Sequence, residues 1–257
     1  MREKELAEEI KMDTMKMELI GTACEELLTY GLWNYRKKAK IFIKKYALRQ
    51  QTPANDPVFW PTGLLASGLW HCRRKLLNCK TEDAGAMVNR IEAALLAYFT
   101  RWEKKKFPVS YLDDLLAGEV FLAILEEYQD GCRANGMINE KNVGKYRKAV
   151  DKLAEYAFSY PTDETGSFPY RAARKNGHIY VDTIGLSCPF LYEYGRVYEK
   201  DEGMELAVAQ IANFLAYGID TTTELPYHGY EVESGMKYGI IGWGRAVGWL
   251  LRGMIRC

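Results

Sequence analysis

Two stretches, LLAGEVFLAIL (115–125) and TIGLSCPFLYEYG (183–195), decide the architecture. Both are rich in small and apolar residues and nearly lack charge, and GLLASGLW (63–70) is of the same kind. A helix that is apolar on most sides is buried on most sides, and its glycines and alanines let neighbours approach closely. Between these stretches run segments of a second kind. Met87, Ile91, Leu95, Tyr98 and Trp102 recur at steps of three and four, which gives a helix one apolar stripe and one wet face. Tyr146, Val150, Leu153 and Ala157 repeat the pattern, as do Met204, Val208, Ile211 and Leu215, and Leu6, Ile10, Met17, Ile20, Cys24 and Leu27. Buried helices alternating with amphipathic ones predict two concentric layers, inner helices around an axis and outer helices shielding them. The expected fold is all-α, a toroid of helical hairpins rather than a four-helix bundle, with residues 1–257 forming a single α/α-barrel-like domain.

Strand signals are few. Ser167–Arg171 and His178–Val181 flank Asn176-Gly177, a dipeptide that favours a tight turn. The expectation is a short hairpin that presents Asp182 at the mouth of the next inner helix. The connections 49–61, 158–181 and 219–242 carry Pro, Gly and aromatic residues, as functional loops on a rigid scaffold do.

Composition excludes several classes of function. Lys and Arg total 35 against 34 acidic residues, so no basic field draws the chain to nucleic acid or to anionic lipid. The opening MREKELAEEIKMD lacks the apolar core of a signal peptide, and no apolar run approaches the roughly 20 residues of a membrane span. Cys24, Cys72, Cys79, Cys132, Cys188 and Cys257 are scattered without a C-x-x-C, which reads as reduced thiols in a cytoplasmic protein. P-loop, dinucleotide, zinc and serine-elbow motifs are missing. The expectation is chemistry, or binding, without metal or cofactor.

The candidate site lies in the loops. Tyr227-His228-Gly229-Tyr230 is followed by Trp243-Gly244-Arg245-Ala246-Val247-Gly248-Trp249. Indole faces stack on sugar rings or fill cores, and a guanidinium makes a forked bond to a carboxylate, so this pairing points to an acidic sugar. Glycines weaken a helix start, so their presence at Arg245 implies close approach by a backbone or a ligand. His228 could orient a hydroxyl or a carboxylate, or simply pack in its loop. Asp182 opens an apolar helix either as an N-cap or as a proton donor whose pKa is lifted by neighbouring rings such as Tyr180 and Tyr170. Of Asp113 and Asp114, one is expected to cap the next apolar helix and the other to complete an acid/base pair. Trp60, in DPVFWPTGLL, is a further stacking platform. His71 and His178 read as structural or exposed.

YVDTIGLSCPFL (180–191), LPYHGYEVES (225–234) and WGRAVGWLL (243–251) stand in the order seen in the unsaturated glucuronyl and rhamnogalacturonyl hydrolases, glycoside hydrolase families 88 and 105, which the chain resembles over roughly positions 60–251. YLDDLLAGEVFLAILEEY (111–128) resembles an earlier Leu-Asp helix of the same families. The resemblance implies an (α/α)6 barrel that acts on a 4,5-unsaturated uronic acid at the non-reducing end of a lyase-generated disaccharide or short oligosaccharide. It implies that Asp182 protonates C4 and helps activate water for attack at C5, with Asp113 as the second active-site aspartate. His228, Arg245 and Trp249 would line the uronate pocket; the residues themselves, apart from the resemblance, add Trp243, Tyr180 and Trp60 as further candidate substrate-binding rings.

Three departures stand out. Ala246-Val247 replace the usual Gly-Asn, Tyr180 stands where tryptophan is common, and the sequence ends at Cys257 with the barrel expected to be incomplete at its C-terminal side. An unfinished barrel edge predicts self-association. The rival expectation is an inactive shortened barrel that binds carbohydrate or scaffolds; a sugar epimerase would want more histidines than His228 alone.

Overall fold

The computed structural model describes residues 2–30, 39–40, 42–49, 60–131, 136–171 and 178–257. Its elements are almost all helical, and the chain divides into two compact units, Met1–Lys106 and Phe107–Cys257. No helix among the described residues is long and apolar enough to cross a membrane.

In the first unit α1 (Arg2–Thr29), α2 (Trp60–Leu76) and α3 (Glu82–Lys104) pack on one another. The Thr81 hydroxyl accepts from the Ala84 N–H at 3.3 Å and caps α3. The stripe of α3 follows the sequence spacing: Ile91, Leu95, Tyr98 and Trp102 are fully buried, with Met87 half-buried beside a deeper Val88. On α1, Cys24 and Leu27 are buried and Met17 and Ile20 half-buried, whereas the side chains of Leu6 and Ile10 lie outside the described residues. Arg101 of α3 donates to the carbonyls of Leu27 and Leu28, acceptors in the last turn of α1 that the helix itself cannot satisfy.

The second unit begins with a 3-10 turn, Leu112–Asp114, that runs into α4 (Leu115–Gln129). α5 (Glu140–Phe158), α6 (Asp182–Tyr198), α7 (Asp201–Tyr217) and α8 (Gly244–Arg256) follow. α4 is buried without a break from Leu115 to Leu122 and α6 from Thr183 to Leu191, as their lack of charge predicts. α5 buries Tyr146, Val150, Leu153 and Ala157, the stripe expected of it. α6 lies at the centre, packed on α4, α5, α7 and α8. Its Gly185 is the point of closest approach to α8: a Cβ there would stand 2.4 Å from Trp249 Cε3 and 2.7 Å from the Trp249 carbonyl oxygen.

One stripe is displaced. On α7 the buried residues are Gly203, Ala207, Gln210 and Phe214, each one position ahead of the expected Met204, Val208, Ile211 and Leu215. Val208 and Leu215 are 52% and 42% exposed. Two local causes override the hydrophobic count. A Cβ at Gly203 would meet the Leu191 carbonyl oxygen at 2.8 Å, so only glycine lets α7 settle this close on α6. Gln210 goes inside because its amide serves two backbone groups of the loop that precedes α6. Its Oε1 accepts from the Phe168 N–H at 2.8 Å, and its Nε2 donates to the Gly166 carbonyl at 2.7 Å.

The expected hairpin takes another form. Tyr170 N–H does donate to the His178 carbonyl at 3.0 Å, while Asn176-Gly177 lies outside the described residues. The strand partners of β1 (Ile179–Tyr180), however, come from the later loop. β1 pairs antiparallel with β2 (Gly229–Tyr230), and β2 with β3 (Lys237–Tyr238), in the register Tyr180↔Gly229↔Tyr238. This small sheet sets the last residues before α6 against the His228 loop.

Candidate active site

Asp182 is the first residue of α6, and no side-chain capping bond is made at that helix end. Its Oδ2 instead shares a 3.0 Å hydrogen bond with His228 Nε2. The sheet makes this meeting unavoidable. His228 N–H donates to the Tyr238 carbonyl at 2.9 Å, and the His228 carbonyl accepts from Val181 N–H at 2.9 Å, which fixes the histidine one residue from Asp182 across the ladder. The Asp182 side chain is 13% exposed and that of His228 26%, so the pair is sheltered but reachable. With Oδ2 engaged, Oδ1 is the oxygen that has no hydrogen-bond partner among the described residues.

Rings continue on both sides of the pair. Tyr180 stacks on the His228 imidazole, centroids 4.6 Å apart and planes at 25°. Tyr170 meets Tyr180 edge-on at 5.4 Å. On the other side Trp243 meets His228 edge-on at 4.9 Å, and the Arg245 guanidinium lies 4.0 Å over the Trp243 ring. Arg245 is exposed, and it makes no ion pair among the described residues. A guanidinium seated over an indole can still direct N–H donors to a carboxylate.

Asp113 and Asp114 lie in the 3-10 turn before α4, and Asp114, at the N-cap of α4, makes no side-chain capping bond to that helix. Asp114 Oδ2 instead accepts from the N–H groups of Ser110 at 2.7 Å and Tyr111 at 3.1 Å, which closes the entry of the 3-10 turn. Asp113 is buried, 4% exposed. Burial pushes the Tyr170 phenol above its ordinary pKa, and the Asp113 carboxylate adds to that push. Arg171 opposes it, Asp182 again adds and Arg245 again opposes. Both aspartates and both arginines thus act on one hydroxyl.

The structure therefore gathers Asp182, His228, Tyr180, Trp243 and Arg245 at one place, with Tyr170 against Tyr180. Trp249 is buried, its ring against Gly185 one helical turn beyond Asp182. Trp60 belongs to the first unit, where it opens α2 half-buried. Sequence reading passed over Arg171, whose guanidinium lies 4.5 Å over Tyr111 and 4.9 Å over Tyr170. The signal available was a cation directly after Tyr170 and three residues after Phe168, in a stretch whose pattern also fits a strand. His178, taken as structural or exposed, stands behind Tyr180, its ring 4.6 Å from that of Tyr238.

An acid at a helix mouth, a histidine bonded to it and a wall of rings ending in a guanidinium thus stand together in the described residues. The family model described as Glycosyl Hydrolase Family 88 matches residues 35–257, and the chain belongs to that family. Solved structures agree on the fold. The Family 105 glycoside hydrolase of C. acetobutylicum ATCC 824 is 16% identical, with a TM-score of 0.57 over 85% of this chain and 56% of its own. A possible member of the GH105 family from Salmonella enterica subsp. enterica serovar Paratyphi A str. ATCC 9150 is 17% identical, with a TM-score of 0.59 over 74% of this chain and 45% of its own. A further possible GH105 member, from Klebsiella pneumoniae subsp. pneumoniae MGH 78578, is 16% identical, with a TM-score of 0.58 over 77% and 49% respectively. The fold is thus all-α and of the α/α-toroid type, and the chain spans about half the length of these structures. No curated protein matches the chain.

Proposed function

We propose that the protein releases a 4,5-unsaturated uronic acid from the non-reducing end of a disaccharide or short oligosaccharide by adding water across the C4=C5 bond. The observation that carries this reading is the 3.0 Å bond between Asp182 and His228 beside the stacked Tyr180. Direct hydrolysis at an anomeric carbon calls for two carboxylates flanking the glycosidic bond. Hydration of an enol ether needs one acid/base group, a water and a partner for the uronate.

In this scheme Asp182, protonated, delivers its proton to C4, and positive charge develops at C5. The resulting carboxylate takes a proton from water as the hydroxyl adds to C5. The C5 hemiketal opens to a ketone, and the former ring oxygen becomes a hydroxyl on C1. That C1 hemiacetal then expels the neighbouring sugar as an alcohol and is left as an aldehyde. His228 holds Oδ2, so Oδ1 faces the chemistry in both halves of the cycle. Arg245 grips the uronate carboxylate with its fork, and Tyr180 and Trp243 offer faces to the sugar ring. Asp113 helps hold the substrate on the Tyr170 side.

Solvent isotope places the proton. Turnover in D2O is expected to put one deuterium on C4 of the product, on a single face, as read by NMR before enolisation exchanges the position. A uronic acid product that retains only its vinyl hydrogen at C4 would instead mean attack at the anomeric carbon.

A further inference from the structure

We propose that two copies of this chain pair antiparallel through the exposed face of α8, each setting Leu251 and Ile255 against the glycines of the other. The proposal does not depend on the hydrolase reading. α8 buries Ala246, Trp249, Leu250 and Gly253. At roughly 100° per residue the opposite arc carries Gly244, Val247, Gly248, Leu251, Met254 and Ile255, with no polar side chain among them. Leu251, Met254 and Ile255 are 48%, 42% and 78% exposed. The charged residues of the helix, Arg245, Arg252 and Arg256, share one flank, and the last two reach Glu119 at 2.7 and 3.9 Å. A surface helix normally gives its polar residues to water, and one that is apolar on both sides is built to be covered on both.

The glycines point to a second copy as the occupant. A Cβ on Gly244 or Gly248 would meet nothing within 4 Å among the described residues, so the chain's own packing does not require glycine at either position. A glycine inside a helix, as Gly248 is, nonetheless costs stability. Gly253 on the buried side is different, because a Cβ there would stand 2.6 Å from Ile184 Cγ2. Gly244, Gly248, Leu251 and Ile255 follow one another at steps of four, three and four, the spacing of a seam between two helices. Antiparallel pairing about a two-fold axis between Gly248 and Leu251 sets Gly248 against the partner's Leu251, and Gly244 against the partner's Ile255. Each large side chain then meets a glycine, and Val247 comes beside the partner's Met254. Parallel pairing would instead set glycine on glycine and Ile255 on Ile255, with gaps beside a clash. The ends match as well. Trp243 N–H donates to the Ile240 carbonyl at 3.3 Å, so Ile240, 77% exposed, sits at the N-terminal end of α8, where the partner's Ile255 would arrive. A face whose projections fit its own hollows after a two-fold rotation is what an isologous contact requires.

Sedimentation equilibrium of the full chain tests this. The patch is small, so the wild type is expected to pass reversibly from one chain mass to two between micromolar and hundreds of micromolar concentration. Leu251→Lys should stay monomeric throughout. Gly248→Ala should weaken pairing about 10-fold or more, by filling the hollow that receives the partner's Leu251. It should not lower the melting temperature of the monomer, because the added methyl has room and favours the helix. Val208→Lys, which alters a comparably exposed apolar residue on α7, should pair as the wild type does. A wild-type chain that stays monomeric overturns the proposal and leaves the face to a different protein. Pairing that survives Leu251→Lys or Gly248→Ala undiminished, or that Val208→Lys also abolishes, overturns it too, because the contact then lies elsewhere. A mass that rises past two chains likewise contradicts it, since an isologous contact closes at two.

Discussion

Asp182→Asn is expected to lower turnover of an unsaturated uronyl disaccharide by about 10²- to 10⁴-fold, the usual worth of a positioned acid/base group. The substitution keeps shape and volume, and asparagine can still bond to His228. α6 keeps its entry, because the sheet register of Tyr180 and the 2.7 Å bond from Thr183 Oγ1 to the Tyr180 carbonyl do not involve the carboxylate. Arg245 and the ring wall are untouched. The loss should therefore fall on kcat, with KM changed only a few-fold and unfolding free energy within about 1 kcal/mol of wild type. Loss through KM, or through unfolding, would give Asp182 a different role.

Arg252→Ala should destabilise the protein by about 3–5 kcal/mol, measured by urea unfolding. Pro189 lies inside α6 and has no N–H, so the carbonyl four residues earlier, that of Gly185, lacks its helical partner. Arg252 of α8 donates to that carbonyl with Nη1. Its Nη2 reaches Glu119 of α4, at 2.7 Å to Oε1 and 2.8 Å to Oε2. One side chain thus ties three helices together, and its removal strands a carbonyl and leaves a carboxylate that is only 2% exposed with the more distant Arg256 Nη2, at 3.9 Å, as its remaining ion-pair partner among the described residues. Burial pushes the Glu119 carboxyl above its ordinary range, and Arg252 pulls it back. A raised folded-state pKa means that the cost of ionised Glu119 is absent below the unfolded-state value and appears as pH rises through the folded-state one. Without Arg252 that cost grows, so the deficit of the variant should be largest near neutral pH and shrink as the medium approaches pH 4. Replacing both residues with apolar ones of similar volume should recover much of the loss. An unchanged urea midpoint for Arg252→Ala would show that the staple contributes nothing.

These two sites differ in how visible they are in the sequence. Asp182 and His228 could be singled out, one at the mouth of an apolar helix and the other a lone histidine among aromatic residues. Their bond could not, because it depends on β1 pairing with a strand 50 residues later rather than with its neighbour. The burial of α4 and α6 followed from missing charge, and that of α3 and α5 from spacing. α7 went astray by one residue because spacing ranks side chains by hydrophobicity, and there a glycine's close approach and a glutamine's two backbone bonds ranked higher. Glu119 and Arg252 were legible only in hindsight. A lone carboxylate in an apolar helix needs a cation, and a proline inside a helix frees a carbonyl that needs a donor. Arg171 escaped because its neighbours were read for strand alternation rather than for stacking.

The most direct test of the account follows the ultraviolet absorbance of 4,5-unsaturated uronyl disaccharides, from pectin and from glycosaminoglycan sources, mixed with purified protein. The account predicts a steady loss of the conjugated chromophore by the wild-type chain, slowed at least about 100-fold in Asp182→Asn. A folded wild-type sample that leaves the chromophore intact with every substrate, or an Asp182→Asn variant as fast as wild type, would contradict it.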